Sequence, residues 1–186
     1  MNEESPRKER KRRPTPPLTS AWLRSEAASH LQRWPASEVR IRRLMWKRVK
    51  RAQSFHGGSP EDAVGLVNEA IASLIVATLI DDARLAQLWV VSLRRRGTSR
   101  RLIRQKLREK GVAPSHIEEA LSHSGSDEEG DPELASAVAY AKRRRLGPYR
   151  KPYDECWERK RKDMATLARV GFSFGIAKEI IESPPE

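Results

Sequence analysis

Two fifteen-residue stretches, LREKGVAPSHIEEAL from Leu107 and LARVGFSFGIAKEII from Leu167, lie over one another at an offset of sixty residues. Leu107 falls on Leu167, Gly111 on Gly171, Val112 on Phe172 and Leu121 on Ile181. The segments before them match at an offset of fifty, Asp81 with Asp131, Arg94 with Arg144, Arg95 with Arg145 and Gly97 with Gly147. The last copy therefore carries ten extra residues, around PYRKPYDECW. A fainter first copy has Ser37 and Ile41 in the places of Ser99 and Ile103. A chain built of repeats that each bury only a small face must stack them, so it cannot close around one large core.

The period inside each copy is helical. Leu85, Ala86, Trp89, Val90 and Leu93 recur at three and four residues and form one apolar stripe. Thr98 or Ser99 can cap a second helix, which Gly111 ends in a left-handed conformation, and a third runs from about Pro114 to Leu121. Glu118 and Glu119 near its start suit the helix dipole. The expected fold is all-α, a tandem array of three three-helix, helix-turn-helix-like repeats, elongated and curved. Residues 1–20 read as a disordered basic tail, 21–80 as a divergent first repeat with an insertion, 81–122 as the second repeat, 123–132 as an acidic linker and 133–182 as the third repeat. In the first repeat, Ser59 and Pro60 read as N-cap and first helical residue of a third helix near 63–79.

The chain carries 37 Lys+Arg against 25 Asp+Glu, a formal charge of +12, which predicts attraction to a polyanion. The N-terminal residues have no apolar stretch of the secretory type, and the longest apolar run, 70–80, is far below the roughly 20 residues of a membrane span. The single cysteine, Cys156, forms no internal disulfide, and a reducing cytoplasm fits. No phosphate loop or dinucleotide fingerprint is present, His30, His56, His116 and His123 are scattered, and Asp81 and Asp82 read as helix caps; no catalytic residue, metal or cofactor is expected. Cys156 reads as partly buried packing. Trp22, Trp34, Trp89 and Trp157 read as packing residues, and Trp46 reads the same way although base stacking is open to it.

The basic side chains are not scattered. Arg94, Arg95 and Arg96 end one helix. On the next, Arg100, Arg101, Arg104 and Arg108 fill an arc of about 100° beside the apolar edge of Ile103 and Leu107, with Lys106 nearby. Lys142, Arg143, Arg144 and Arg145 repeat the first run one copy later, and 158–162 adds another. Runs at equivalent places of an array line up on one surface, so these residues are the candidate binding site. Their guanidinium forks suit phosphate or carboxylate.

The stretch LIDDARLAQLWVVSLRRRGTSRRLIRQKLREKGVAPSHIEEAL, 79–121, resembles the central repeat of the bacterial RecX regulatory proteins: an Asp-Asp helix start, a basic Arg-x-x-Gly turn and a Leu-x-x-Lys-Gly helix end. LARVGFSFGIAKEII resembles the family's last repeat, whereas Trp34-Pro35 replaces its basic turn in the first. The resemblance implies a non-enzymatic modulator that lies in the groove of the RecA recombinase filament on single-stranded DNA and restrains its growth, ATP hydrolysis and strand exchange. The partner it implies is that filament; the basic excess adds weak binding of single- and double-stranded DNA, and the chain is expected to be a monomer with no membrane association. Basic second helices with short turns would also suit a stand-alone helix-turn-helix-like DNA-binding protein or transcription regulator.

Overall fold

The structure, a computed structural model, describes residues 15–124, 130–152 and 156–184. Most of the expected basic tail, the centre of the acidic linker and part of the late insertion lie outside them. The described residues form nine α-helices and a short 3-10 turn at Gly147–Tyr149, with no strand among them. The helices are α1 (Ser20–Leu31), α2 (Glu38–His56), α3 (Pro60–Val76), α4 (Asp82–Arg95), α5 (Arg100–Glu109), α6 (Pro114–His123), α7 (Pro132–Arg144), α8 (Trp157–Arg169) and α9 (Phe174–Glu182).

Local chemistry sets most of these limits. Oxygen atoms of Thr19, Ser37, Ser59, Asp81, Ser99, Asp131 and Ser173 accept backbone N–H bonds at the helix starts, and each satisfies a donor that the first turn leaves open. Of the two capping candidates, Ser99 takes the N-cap of α5 and Thr98 does not. α3 starts at Pro60, behind its Ser59 cap, and ends at Val76 rather than near 79, with Thr78 turning the chain at φ 54°. α6 outruns its expected end at Leu121 by two residues, and the His123 ring meets the Glu119 carbonyl.

Three separate apolar clusters follow the helices in threes. Leu23, Ile41, Met45, Val49, Val67 and Leu74 centre the first, Val90, Ile103, Leu107 and Ile117 the second, and Ala141, Leu167, Ala177 and Ile181 the third. The first helices of the second and third triplets, α4 and α7, pack on each other. Beside the late insertion, the buried carboxylate of Asp163 in α8 accepts from the Gly147 N–H at 2.9 Å and from Arg150 at 2.8 and 2.9 Å, which ties the 3-10 turn to α8.

Three apolar expectations need correction. Trp34 is 67% exposed and Trp157 62% exposed, because both sit outside the cores, in the α1–α2 turn and on the first turn of α8. Cys156, just before α8, is exposed rather than partly buried. Trp22 and Trp46 do pack on the first core and Trp89 on the second, where the Lys110 ammonium lies 3.7 Å above the indole.

Candidate nucleic-acid interface

The basic ends of α4 and α7 meet. Gly97 ends α4 at φ +67°, and a Cβ there would lie 2.4 Å from the Tyr140 nitrogen, so only glycine lets α7 approach this closely. Arg143 Nη1 then donates to the Arg96 carbonyl, and the guanidinium groups of Arg143 and Arg144 lie 5.4 and 6.0 Å from the Tyr140 ring. Lys142 stands 5.2 Å over the Tyr149 ring, and Arg145 takes the left-handed C-cap of α7 at φ 54°. Arg95, Arg96, Lys142, Arg143, Arg144 and Arg145 are all exposed. Two helix carboxyl ends, each carrying partial negative charge, hold these cations at one edge.

Arg94 belongs elsewhere. It is half-buried, with Nε and Nη1 hidden from solvent, and lines a recess with Arg100, Leu121, Asp131 and Glu133. Its charge acts on Glu133, whose carboxyl is raised by burial and drawn partly back by the Arg100 N–H and by Arg94.

The α5 arc divides. Arg104 forks onto Glu118 of α6, Nε to Oε1 and Nη2 to Oε2, both at 2.7 Å. That pairing is the main reason Glu118 is held below and Arg104 above their ordinary values. Arg101 donates through Nη2 to the Arg169 carbonyl at 3.1 Å, across to α8. Two members of the arc thus work inside the protein, and Glu118 serves this pair rather than the helix dipole. The side chains of Arg95, Arg96, Arg100, Lys106, Arg108 and Arg145 make no hydrogen bond or ion pair with a described residue. Among the expected site residues, these keep their side chains open to a ligand.

The expectation of a capping role for Asp82 needs correction, and Glu133 carried no expected role. Asp81 caps α4, but Asp82 reaches back and accepts the Glu38 N–H at 3.0 Å, while Ser37 Oγ donates to the Lys110 carbonyl. One unit on, Glu133 accepts the Arg100 N–H at 2.9 and 3.0 Å and Ser99 Oγ donates to the Val170 carbonyl. The second helices of the first two units, α2 and α5, therefore plug their N-termini into the next unit, against a first-helix carboxylate and the end of a second helix. Gly111 and Gly171 make room: a Cβ would come within 2.8 Å of Val39 and 2.7 Å of Arg101, respectively. The recurrence of Ser37 and Ser99 at matched places was the available signal, but a capping role accounts for both without the second bond.

No group of three or more His, Cys, Asp or Glu that could hold a metal occurs among the described residues, and no described helix is long and apolar enough to cross a membrane. A row of three-helix units that gathers exposed cations at its helix ends defines a helical-repeat protein with a basic edge. Residues 81–121 match the family model described as RecX, second three-helix domain. The regulatory protein RecX of Myxococcus xanthus (strain DK1622) is 37% identical over 97% of this chain and 96% of its own length. That of Agrobacterium fabrum (strain C58 / ATCC 33970) is 31% identical over 89% of this chain and 85% of its own. The crystal structure of RecX from Lactobacillus salivarius shares the fold, with a TM-score of 0.65 at 20% identity over 88% of this chain and 94% of that one. The chain belongs to the RecX family of regulatory proteins.

Proposed function

We propose that this chain regulates recombination and DNA repair by binding the RecA filament on single-stranded DNA in the cytoplasm and restraining its ATP hydrolysis, growth and strand exchange. It acts by binding alone, as a monomer, without a cofactor or chemistry of its own. The edge where α4 meets α7 carries the reading. Arg95, Arg96, Arg144 and Arg145 are exposed there, and Arg143 is held over Tyr140. Arg100, Lys106 and Arg108 add exposed cations on α5. Cations in a row suit phosphates or carboxylates arrayed along a filament groove.

The test is DNA-dependent ATP hydrolysis by the recombinase with this chain far scarcer than recombinase. Inhibition is expected there. Inhibition that appears only when the chain coats the DNA would overturn the filament reading in favour of a stand-alone DNA-binding protein. Replacing Arg95, Arg96, Arg144 and Arg145 together by Ala should weaken inhibition at least tenfold, since a charge-assisted contact contributes about 1.5 to 3 kcal/mol and the four are not additive. Helix content should persist, because all four are exposed at helix ends.

A further inference from the structure

The third unit holds an aromatic side chain that its core does not use. Trp157 opens α8, is 62% exposed and lies apart from the side chains that pack on the third core. An indole kept in water forgoes the burial that makes tryptophan costly to expose. Three and four residues on, Lys160 and Arg161 project within about 60° of it on the helix wheel. Neither side chain makes a hydrogen bond or ion pair with a described residue. The other tryptophans are arranged differently. Trp22, Trp46 and Trp89 pack on cores, and the arginine beside exposed Trp34, Arg33, is spent on the Ser29 carbonyl at 3.1 Å.

We propose that Trp157 is a stacking platform for an unpaired nucleobase, with Lys160 and Arg161 holding the flanking phosphates, so that the third unit distinguishes single-stranded from duplex nucleic acid. A flat indole offers its face to any base, but only a base freed from its pair and its neighbour can lie on it. The two cations add attraction that both strand forms feel and that salt screens. This deepens the reading of the chain as a DNA-contacting regulator and rests on it. Yet it concerns bare DNA, so it can fail while filament inhibition stands, and the reverse.

The experiment measures binding of the whole chain to a fluorescent oligo(dT) and to a duplex of equal length across a salt series, without recombinase. Trp157→Leu should weaken oligo(dT) binding about 5- to 100-fold, the effect of losing one stacked base, leave duplex binding within about twofold, and leave the salt slope unchanged. Trp157→Phe should keep most of the single-strand affinity. The double variant Lys160→Ala/Arg161→Ala should weaken both forms and lower the salt slope by roughly 1 to 2. Melting curves should match the unaltered chain, since Trp157 supports no core. Undiminished oligo(dT) binding by Trp157→Leu overturns the proposal, and so does equal loss on both strand forms. If Trp157→Leu spares oligo(dT) binding but weakens ATPase inhibition, the indole faces a protein and the proposal also fails.

Discussion

Gly97 is the residue on which the basic edge depends. Its positive φ and the 2.4 Å that a Cβ would leave to the Tyr140 nitrogen act together, and the obstacle is backbone, which cannot step aside as a side chain can. Gly97→Ala should cost at least about 2 kcal/mol by urea unfolding, with α7 displaced from α4 and inhibition of the recombinase lost in the same variant. Leu107, fully buried in the second core, offers a contrast of mechanism: Leu107→Ala should cost about 2 to 5 kcal/mol through its cavity while leaving the basic edge as it is. Glu133 carries a pH signature. Burial raises its carboxyl in the folded chain, so the folded state holds the proton more tightly than the unfolded state does. Its contribution is therefore fully present below the unfolded carboxylate value and lost as pH rises through the folded one. Glu133→Gln keeps an oxygen for the Arg100 N–H and removes the charge. The melting temperature of the unaltered chain relative to this variant should therefore rise as pH falls from about 7 to about 4. A difference that shrinks instead would reverse the assignment.

Among the elements, α5 shows where sequence patterns stop being informative. Its limits were legible because Ser99 and Gly111 are local signals, and its buried edge because Ile103 and Leu107 obey the helical period. Its basic arc was legible only as an arc. Which arginines have a partner inside the protein depends on Glu118 in another helix and on the carbonyl of Arg169 in another unit, and neither spacing appears in the repeat. In the third unit the equivalents of Arg104 and Glu118 are Met164 and Lys178, so the alignment offers no second copy of the pair. Exposure of Trp157 was hidden for a similar reason: α8 begins well ahead of the place equivalent to the start of α5, and its first turn overshoots the core. The arc's two halves should respond differently to truncation. Arg100→Ala with Arg108→Ala should weaken recombinase inhibition with little change in melting temperature. Arg104→Ala should lower stability by no more than about 1 kcal/mol, because its pair with Glu118 is partly exposed, and should leave inhibition nearly unaltered.

At the scale of the whole molecule, three cores that do not merge imply a row rather than a ball. Its radius of gyration by solution scattering should exceed the roughly 16 Å of a compact chain of this length. The repeat itself announced the row, since sixty- and fifty-residue offsets are visible without any structure. The means of joining was not visible, because a serine that caps its own helix and also bonds the next unit looks like any capping serine. That joint has a sense of direction. The socket built from Asp82 and the Lys110 carbonyl receives α2, and the socket built from Glu133 and the Val170 carbonyl receives α5, with the same two kinds of bond in the same order. The two joints share this pair of bonds and differ around it: Gly111 meets Val39, whereas Gly171 meets Arg101, which adds its own bond to the Arg169 carbonyl. A shortened chain in which the first unit runs directly into the third would offer Ser37 and Glu38 to the Glu133 side, with Val39 standing where Arg101 bonds the Arg169 carbonyl. The middle unit then sets the length of the row, and a change in the number of units would leave this one pair of bonds to be made at each new joint.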